Sequence, residues 1–593
     1  VSGNSLYNSY VSEQCKNIPA LQRLLTSASD NNIVLDISTI QLLVADCALH
    51  LFLSKNNTHI NTNTNLLLGF LVNELSIGEY DCLISDLIDD TDSAISFCKE
   101  NPLLFNMEYI YETDEDILGL IYISCKNIGN RKATGSYYTS TKVVKNLISR
   151  LSFQEPVKVL DPCCGTGNFL LQLPDVLPFD SIYGNDIDAA SVKITRLNMA
   201  LKYNVPVAAI YEHITGQDYL TAYAEKDFQY IIGNPPWGYD FSEEEKSHLR
   251  TIYKSATGKN IESYDVFIEQ ALNHLTDNGH LAYVLPEAIL NVKAHTNIRK
   301  TILENCSIKN LVFLGNAFDG VQCPCIILDL QCTRSPLSTV GMNVNTGTAS
   351  FTINIERTVS AEYFSFTTSD AEYNVLCKIR SMPNSAYLLD NADFALGIVT
   401  GNNKEYISDI KNDNNEMILK GADIRKYHTT RTNNYIVFKP ENFQQAAPTE
   451  MYRSPEKLLY RFISSQLVFA YDDKQTLSLN SCNIVIPRLP GIKIKYVLAI
   501  LNSRIAQFIY KKEFNSVKVL RSHIENIPIP TADASTQAEI IALTDKLISV
   551  LQADEAEKVY DELDLLVSKA FNLDSNEIEI INKAVEGDNK FLA

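Results

Sequence analysis

The chain has 593 residues, a length that suggests three or four domains. Of these residues 45% are apolar and 21% are charged, values typical of a globular protein. It has no run of 18 or more apolar residues and no basic, apolar leader, so we expect a cytoplasmic protein without a membrane segment. Its 13 cysteines include no paired CxxC knuckles, which argues against a metal site and fits a reducing compartment.

The net charge of −20 is unevenly distributed. Residues 1–130 carry 5 Lys and Arg against 17 Asp and Glu, and residues 531–593 carry 5 against 14. Residues 391–530 carry 19 against 13. A basic segment between acidic ends predicts a local surface for phosphate groups. The alternative is chance patterning of charge over a segment of this length.

In chain order, the acidic segment 1–130 is predicted to be helical, because residues 40–52 repeat apolar side chains at helical spacing. From about 157 to 330, short apolar runs alternate with helical stretches, which predicts a largely parallel α/β sheet. The predicted strands are 157–160, 181–184, 230–233, 280–285 and 326–330. Residues 336–390 have short alternating runs, and residues 537–551 and 557–571 are predicted to be helices with acidic faces.

A glycine-rich turn follows the first predicted strand. It contains Gly165 and Gly167 and leads into a helix, so its backbone can approach a ligand at the helix N-terminus. Asp186 ends the next strand, where its carboxylate can accept both hydroxyls of a ribose. Asp218 could accept a hydrogen bond from an adenine amino group, or it could cap a turn. The turn is not GxGxxG and no GK(S/T) follows, so NAD and ATP fit poorly.

The most informative run is Asn234-Pro235-Pro236-Trp237, at the end of the 230–233 strand. The Asn234 side-chain oxygen and the Pro235 carbonyl can each accept a hydrogen bond from the exocyclic amine of adenine, which favours a reactive, pyramidal nitrogen. The prolines fix the backbone. Trp237 offers a flat face on which an unstacked base can lie, a contact worth ~1–3 kcal/mol. The alternatives are an ordinary turn and a core tryptophan.

Taken together, these residues resemble the γ-class, TaqI-like adenine-N6 DNA methyltransferases of restriction–modification systems, over about residues 131–593. The order of motifs is the same: cofactor motifs, catalytic loop, then a recognition domain. The resemblance implies S-adenosylmethionine as cofactor, double-stranded DNA as partner, and methylation of a flipped adenine at a specific sequence. Trp237 departs from the usual Tyr or Phe at its position but preserves stacking.

The resemblance also implies the site residues. Phe318 would flank the flipped base together with Trp237, and Phe267 would pack on the cofactor adenine; either phenylalanine could instead be a core residue. The implied cofactor-binding residues are Tyr138, Thr139, Asp161, Cys163, Gly165, Gly167, Asn168, Phe169, Asp186, Ile187, Asp218, Asn234 and Phe267. The candidate DNA contacts are Lys420, Arg425, Lys426, Arg431, Arg453, Arg461, Lys511, Lys512 and Arg521. They do not reveal the recognition sequence.

The implied fold is α/β: a Rossmann-like S-adenosylmethionine-dependent methyltransferase sheet, an N-terminal helical domain, a mixed α/β target-recognition domain and C-terminal helices. The expected boundaries are an acidic helical domain at 1–130, the catalytic domain at 131–335, a β-containing connection at 336–390, the recognition domain at 391–530, and an acidic helical tail at 531–593. The segment 1–130 is interpreted as a partner-docking region or a structural cap.

Several alternatives stay open. No acid-x-Lys triplet occurs in 1–130, so we expect no nuclease within this segment, but a separate nuclease or another subunit could act with the chain. RNA and protein amides are other substrates that suit an Asn-Pro-Pro-aromatic loop. A non-enzymatic binding protein on a methyltransferase scaffold is disfavoured by the intact set Asp161, Asp186, Asp218 and Asn234.

Overall fold

A computed structural model describes residues 10–56, 65–126, 138–154, 157–318, 323–514, 516–549 and 552–587. The chain divides into two compact units, Val1–Phe366 and Thr367–Ala593. The segment predicted as a connection, 336–390, contributes two strands to the first unit, and a helix and a two-residue strand to the second. The predicted α/β fold class is confirmed.

The first unit is built around one large sheet. Its strands are β1 (Val159–Asp161), β2 (Ile182–Asn185), β3 (Ile214–Thr215), β4 (Phe228–Gly233), β5 (Leu275–Pro286), β6 (Cys306–Gly315), β7 (Cys325–Cys332), β8 (Met342–Asn345) and β9 (Ser350–Ile353). They lie in the order β3-β2-β1-β4-β5-β7-β6-β8-β9. The five strands β3, β2, β1, β4 and β5 run parallel to one another, whereas β7 runs antiparallel to both β5 and β6.

The five predicted strands correspond to β1, β2, β4, β5 and β7. Their runs are almost wholly apolar because both faces of these central strands are covered by protein. Strand β6, in which Lys309 and Asn310 interrupt the apolar run, was not predicted, and neither were the short strands β3, β8 and β9. The missed strands lie at or towards the edges of the sheet, where one face is less buried.

Helices surround this sheet and form the N-terminal region. They are α1 (Ile18–Asp30), α2 (Ile37–Lys55), α3 (Leu66–Leu71), α4 (Asp81–Ser85), α5 (Thr91–Glu100), α6 (Ile117–Cys125), α7 (Thr141–Ile148), α8 (Asn168–Leu171), α9 (Ala189–Tyr203), α10 (Val207–His213), α11 (Glu243–Ile252), α12 (Ser263–His274) and α13 (Thr296–Asn305). The apolar side chains of the N-terminal helices belong to the same continuous core as the sheet.

Helix α2 is the central element of the N-terminal region. Among the described residues it is the one helix long and apolar enough to cross a membrane, by length and composition alone. Within the protein, 72% of its apolar window is buried. It packs against α6 and α9, so its apolar surface is covered on several sides by other helices of the unit. This burial accounts for its weak amphipathic pattern.

The second unit combines small sheets with helices. Its strands are β10 (Ser385–Ala386), β11 (Ala392–Ala395), β12 (Ile407–Ser408), β13 (Glu416–Leu419), β14 (Tyr435–Ile436), β15 (Lys457–Arg461), β16 (Phe469–Asp472), β17 (Leu477–Ser478), β18 (Cys482–Pro487) and β19 (Ile529–Pro530). They form sheets in the orders β11-β18-β15-β16, β12-β14-β13-β17 and β10-β19.

The helices of this unit are α14 (Asp370–Arg380), α15 (Asn403–Tyr406), α16 (Thr449–Tyr452), α17 (Ile494–Asn502), α18 (Arg504–Ile509), α19 (Arg521–Glu525), α20 (Ala534–Ile548), α21 (Ala553–Ala570) and α22 (Ser575–Ala584). Helices α20 and α21 correspond to the two acidic helices predicted at 537–551 and 557–571. Their buried residues share one apolar core with α17 and α18, so the acidic tail packs on the preceding region.

Candidate active site

A cavity of about 510 Å³ opens at the carboxyl ends of β1, β2 and β4. Ligands bind at this edge in open parallel sheets, and the volume is that of a small-molecule site. All of the predicted cofactor residues except Asp161 and Gly167 line it. Those lining residues are Tyr138, Thr139, Cys163, Gly165, Asn168, Phe169, Asp186, Ile187, Asp218, Asn234 and Phe267. Residues 135–137, which directly precede the predicted cofactor residues Tyr138 and Thr139, lie outside the described part of the chain.

The glycine-rich turn forms one wall of this cavity. Gly165 and Gly167 have φ values of +54° and +94°, a left-handed conformation that favours glycine. A Cβ atom at Gly165 would meet only the Tyr138 ring, at 3.8 Å, so the backbone here stands open to a ligand. Gly167 has a different role, because it is packed against Thr195 and turns the chain into α8.

Asp186 anchors the turn and faces the cavity. Its Oδ2 accepts a hydrogen bond from the Gly165 backbone N–H at 2.8 Å, and its Oδ1 accepts one from the Asp188 N–H at 2.8 Å. Burial raises the pKa of Asp186 to about 6, and these two hydrogen bonds only partly oppose that shift. A carboxylate has further lone pairs on both oxygens, so Asp186 retains acceptor capacity for a ligand.

Asp218 lies on the cavity wall but also closes its own turn. Its Oδ1 accepts from the Leu220 N–H at 2.9 Å and its Oδ2 from the Thr221 hydroxyl at 2.5 Å. Asp218 therefore caps a turn, which was the alternative to a role in ligand binding, and it also lines the cavity, as a role in ligand binding requires. Next to it, Phe267 stacks on Tyr219 with ring centroids 5.5 Å apart, which gives the cavity a flat aromatic side.

The Asn-Pro-Pro-Trp loop is held in place from three directions. Asn234 Nδ2 donates to Thr139 Oγ1 at 3.0 Å, which fixes the orientation of the amide. The Cys163 thiol donates to the Asn234 carbonyl at 3.3 Å. The Ser263 hydroxyl, at the start of α12, donates to the Pro236 carbonyl at 2.6 Å. Asn234 and Pro236 line the cavity, and Pro235 is buried behind them.

Asp161 is placed behind the site. It is fully buried, does not line the cavity, and accepts a hydrogen bond from the Cys163 N–H at 3.2 Å. A Cβ atom at Gly233, where φ is +144°, would come within 2.6 Å of Asp161 Oδ1. The ends of β1 and β4 therefore approach closely only because residue 233 is glycine. Asp161 therefore supports the cofactor turn through its hydrogen bond with Cys163 and the start of the catalytic loop through its packing against Gly233.

Two other predicted roles need refinement. Asn168 lines the cavity, but its Nδ2 donates to the Thr139 carbonyl at 2.9 Å and its Oδ1 accepts from Thr141, so its amide braces the segment carrying Thr139. Burial raises the pKa of Cys163 well above its usual range. Its thiol is therefore protonated at neutral pH and serves as a hydrogen-bond donor to the Asn234 carbonyl.

Trp237 and Phe318 do not frame an open slot. Both are buried, and their rings meet edge to face with centroids 4.9 Å apart and planes at 83°. Neither lines the cavity. The predicted pair is thus brought together, but because Trp237 is buried, a base can stack on it only after a local rearrangement.

Sequence reasoning missed the cavity residues contributed by the N-terminal region. Tyr122, in α6, donates to Asp188 Oδ2 at 2.8 Å, and Lys126 Nζ lies 3.6 Å from the same oxygen. Tyr10 also lines the cavity. Further missed residues come from the segment after the catalytic loop, namely Tyr239, Phe241, Glu245, His248 and Leu249. No local spacing links these residues to the cofactor motifs, because they meet only in the folded chain.

A buried carboxylate joins the N-terminal region to the cofactor turn. Asp116 Oδ2 accepts hydrogen bonds from the hydroxyls of Tyr10 and Thr166, each at 2.5 Å. Its Oδ1 accepts from the Gly119 N–H at 2.8 Å and from Asn198 Nδ2 at 2.7 Å. Thr166 lies between the two glycines of the turn. Asp116 therefore ties three elements of the unit together at the cavity floor.

The predicted DNA contacts lie in the second unit and differ in their surroundings. Arg453, Lys512 and Arg521 each pair with a carboxylate, from Glu416, Glu372 and Glu525 respectively. Lys426 is buried, and burial lowers its pKa to about 7. The others are half-buried or exposed, namely Lys420, Arg425, Arg431, Arg461 and Lys511.

Comparison with known proteins identifies the family. Residues 113–351 match the sequence model of the N-6 DNA Methylase family, and residues 416–529 match the TaqI-like C-terminal specificity domain. The chain belongs to the N-6 DNA methylase family of restriction–modification systems. It is a DNA methyltransferase, and the methyl donor of this family is S-adenosylmethionine.

Two relatives of this N-6 DNA methylase illustrate the similarity. The Type II methyltransferase M.VspI from Vibrio sp. (strain 343) is 29% identical over 330 residues, which is 55% of this chain and 79% of M.VspI. The Type II methyltransferase M.CvrRI from Paramecium bursaria Chlorella virus XZ-6E is 31% identical over 166 residues, 28% of this chain and 40% of M.CvrRI. The chain thus spans most of the first relative and less than half of the second.

A solved structure shows the same fold. The Type IIL restriction-modification enzyme MmeI, determined in complex with DNA, superimposes with a TM-score of 0.58, covering 97% of this N-6 DNA methylase and 99% of the MmeI chain. The sequence identity is 14%, so the likeness concerns the fold alone. The family match begins at residue 113, before the boundary expected at 131, and so includes Asp116 and Tyr122.

Proposed function

We propose that this chain transfers a methyl group from S-adenosylmethionine to N6 of an adenine that is extruded from duplex DNA at a specific sequence. The observation that carries the proposal is the position of Asn234, whose amide is fixed by Thr139 at the wall of the cavity that also presents Asp186. An amide oxygen held beside a nucleoside-sized cavity is suited to orienting a planar amine against a methyl donor.

The residues around the cavity fit the methyl donor. S-adenosylmethionine, when bound, supplies an electrophilic methyl group. The Asp186 carboxylate would accept hydrogen bonds from the ribose hydroxyls, and the open backbone at Gly165 allows a close approach. The stacked rings of Phe267 and Tyr219 would cover the adenine. The cavity volume of about 510 Å³ is in the range of sites for ligands of this size.

The catalytic loop would act on the target base. The Asn234 side-chain oxygen and the Pro235 carbonyl would accept the two N6 hydrogens, which favours a pyramidal nitrogen and stabilises its developing positive charge. The bonds from Cys163 and Ser263 hold the loop in advance, so little reorganisation accompanies the reaction. Extruding the base costs a few kcal/mol, which contacts with the loop and the DNA must offset.

Duplex DNA is the proposed partner, supported by the specificity-domain match at 416–529 and by the DNA bound in the MmeI complex. A separate nuclease or another subunit would supply cleavage if the chain serves a restriction system. We place the reaction in the cytoplasm. All 13 cysteines lie within the described residues and none is in a disulfide, which suits a reducing compartment.

The test is to incubate the protein with S-adenosylmethionine and mixed-sequence duplex DNA, then to digest the DNA and quantify N6-methyldeoxyadenosine by mass spectrometry. RNA and protein substrates are offered in parallel, and Asn234→Ala serves as the inactive control. We expect the modified nucleoside in DNA only with the unaltered protein. Methylation of RNA or protein in preference to DNA would contradict the proposal, and Mg²⁺-dependent cutting by this chain alone would contradict the separate-nuclease assignment.

The raised pKa of Asp186 predicts a pH dependence for cofactor binding. The carboxylate is charged above about pH 6 and protonated below it, and only the charged form accepts both ribose hydroxyls strongly. We therefore expect the affinity for S-adenosylmethionine to be constant from pH 7 upward and to fall up to about tenfold per pH unit below pH 6. Titration calorimetry from pH 5 to 8 measures this. Asp186→Asn is expected to bind weakly at every pH, and an unchanged profile in that variant would refute the assignment.

A further inference from the structure

Most arginines of the second unit already have an acidic partner. Arg380 pairs with Glu513, Arg453 with Glu416, Arg488 with Asp393, Arg504 with Asp561 and Asp564, and Arg521 with Glu525. Within the described part of this unit, three arginines make no ion pair, namely Arg425, Arg431 and Arg461. A guanidinium whose charge is already balanced by a carboxylate has less attraction for another anion.

Arg425 and Arg461 are fixed by the same turn. Arg425 Nη1 donates to the carbonyls of Ala422 and Ile424, at 2.7 and 3.1 Å. Arg461 donates to the Ile424 carbonyl through Nε at 3.1 Å and Nη2 at 2.7 Å. Because both guanidinium groups bond to one carbonyl, the two positive charges are held close together, and several N–H groups of each remain for another acceptor.

The turn itself is rigidly seated. The Gly421 N–H donates to the Ser481 hydroxyl at 3.0 Å, and a Cβ atom at position 421 would lie 2.5 Å from the Ser481 carbonyl. Together these residues line an open recess with Arg425 and Arg461 on its wall. Burial and the neighbouring Arg425 charge lower the pKa of Arg461, as expected for two like charges held close together. Arg431 is exposed and does not line the recess.

We propose that Arg425 and Arg461 form a binding site for one backbone phosphate of duplex DNA. The inference rests on the proposed DNA substrate and adds a named contact in the second unit. Two adjacent guanidinium groups that line one recess and keep N–H donors to spare match a phosphate, which carries a full negative charge and several acceptor oxygens. The edge of a guanine offers two acceptors but no charge, and one arginine suffices to read it.

The experiment measures duplex binding by the full chain, with S-adenosylmethionine present, over a range of salt concentrations. The variants are Arg425→Gln, Arg461→Gln and the double variant, and Arg488→Gln is the matched control because Arg488 is already paired with Asp393. The double variant is expected to bind roughly 10- to 100-fold more weakly on every duplex tested. The slope of log K against log salt should fall by about one in the double variant, because one phosphate contact is lost, and Arg488→Gln should change neither quantity.

A second pair of substitutions, Arg425→Lys with Arg461→Lys, keeps the charge and guards against a folding defect in the glutamine variants. It should restore most of the salt slope. A loss of affinity confined to duplexes that carry a guanine at one position would mean that the pair reads a base, and it would overturn the proposal. Unchanged duplex binding by a folded double variant would also overturn it. If the unaltered protein binds no duplex and methylates no DNA, the proposed function itself fails, a result distinct from either of these.

Discussion

Replacement of Asn234 by alanine is expected to lower the rate of adenine methylation by at least ~100-fold, the scale observed when one preorganised polar group is removed from a site of developing charge. The substitution deletes the amide oxygen proposed to accept an N6 hydrogen and the Nδ2 group bonded to Thr139. The loop should keep its shape, because the bonds from Cys163 and Ser263 reach backbone carbonyls that alanine retains.

Single-turnover methylation and a cofactor titration separate the two contributions. The rate should fall while the dissociation constant of S-adenosylmethionine stays within about threefold, since the interaction acts mainly in the transition state. Asn291→Ala, at an exposed asparagine of the same unit, is the matched control and should retain full activity. Thr139→Val keeps the amide but removes its hydrogen-bond partner, so we expect a loss of roughly tenfold. More than a tenth of the activity remaining in Asn234→Ala would contradict the mechanism.

The order of the motifs allowed the fold and the position of the site to be predicted because central parallel strands are buried on both faces. Their apolar runs are nearly uninterrupted, and the polar residues that follow them, such as Asp186 and Asn234, must lie at one edge of the sheet. Strand β6 escaped prediction for the complementary reason: Lys309 and Asn310 are accommodated where the sheet is less covered.

The finer roles could not be predicted, because they depend on contacts across the chain. Asp161 occupies a motif position yet supports Gly233 from behind, and Asn168 uses its amide to hold the Thr139 segment. Likewise, the edge-to-face contact of Trp237 with Phe318 depends on where two distant loops meet. Sequence identifies aromatic residues able to stack on a base, but their mutual arrangement before the base arrives is a property of packing. Opening this contact exposes apolar surface, which base stacking on Trp237 would cover again.

The contribution of the N-terminal region was the least accessible to sequence analysis. The N-terminal region provides Tyr10, Tyr122 and Lys126 to the cavity. Its helices also share one apolar core with the large sheet, which supports a structural role for this segment. The element that joins them is Asp116, which in sequence is one acid among 17 in residues 1–130. Its special status follows only from the four donors that converge on it.

Asp116→Ala is therefore expected to destabilise the first unit by about 3–5 kcal/mol, the cost of leaving buried partners of a charged group unsatisfied. The hydroxyls of Tyr10 and Thr166 and the amide of Asn198 would each lose Asp116 as acceptor, although Asn198 Nδ2 also donates to the Thr166 carbonyl at 2.8 Å. Because Thr166 belongs to the cofactor turn, the affinity for S-adenosylmethionine should fall about tenfold or more in the fraction that remains folded. Urea unfolding and cofactor titration at low temperature measure the two effects separately.

The control and the conservative variant decide between a specific hub and general damage. Glu108→Ala, at an exposed acid of the same region, should change stability by less than about 0.5 kcal/mol. Asp116→Asn keeps one acceptor oxygen, so it should bind the cofactor with an affinity between those of the alanine variant and the unaltered protein. A change below about 1 kcal/mol in Asp116→Ala, with unaltered cofactor affinity, would show that the turn is positioned without this carboxylate. The expected loss of both properties would mean that the N-terminal region is required to build the cofactor site, and that its removal cannot leave an active methyltransferase.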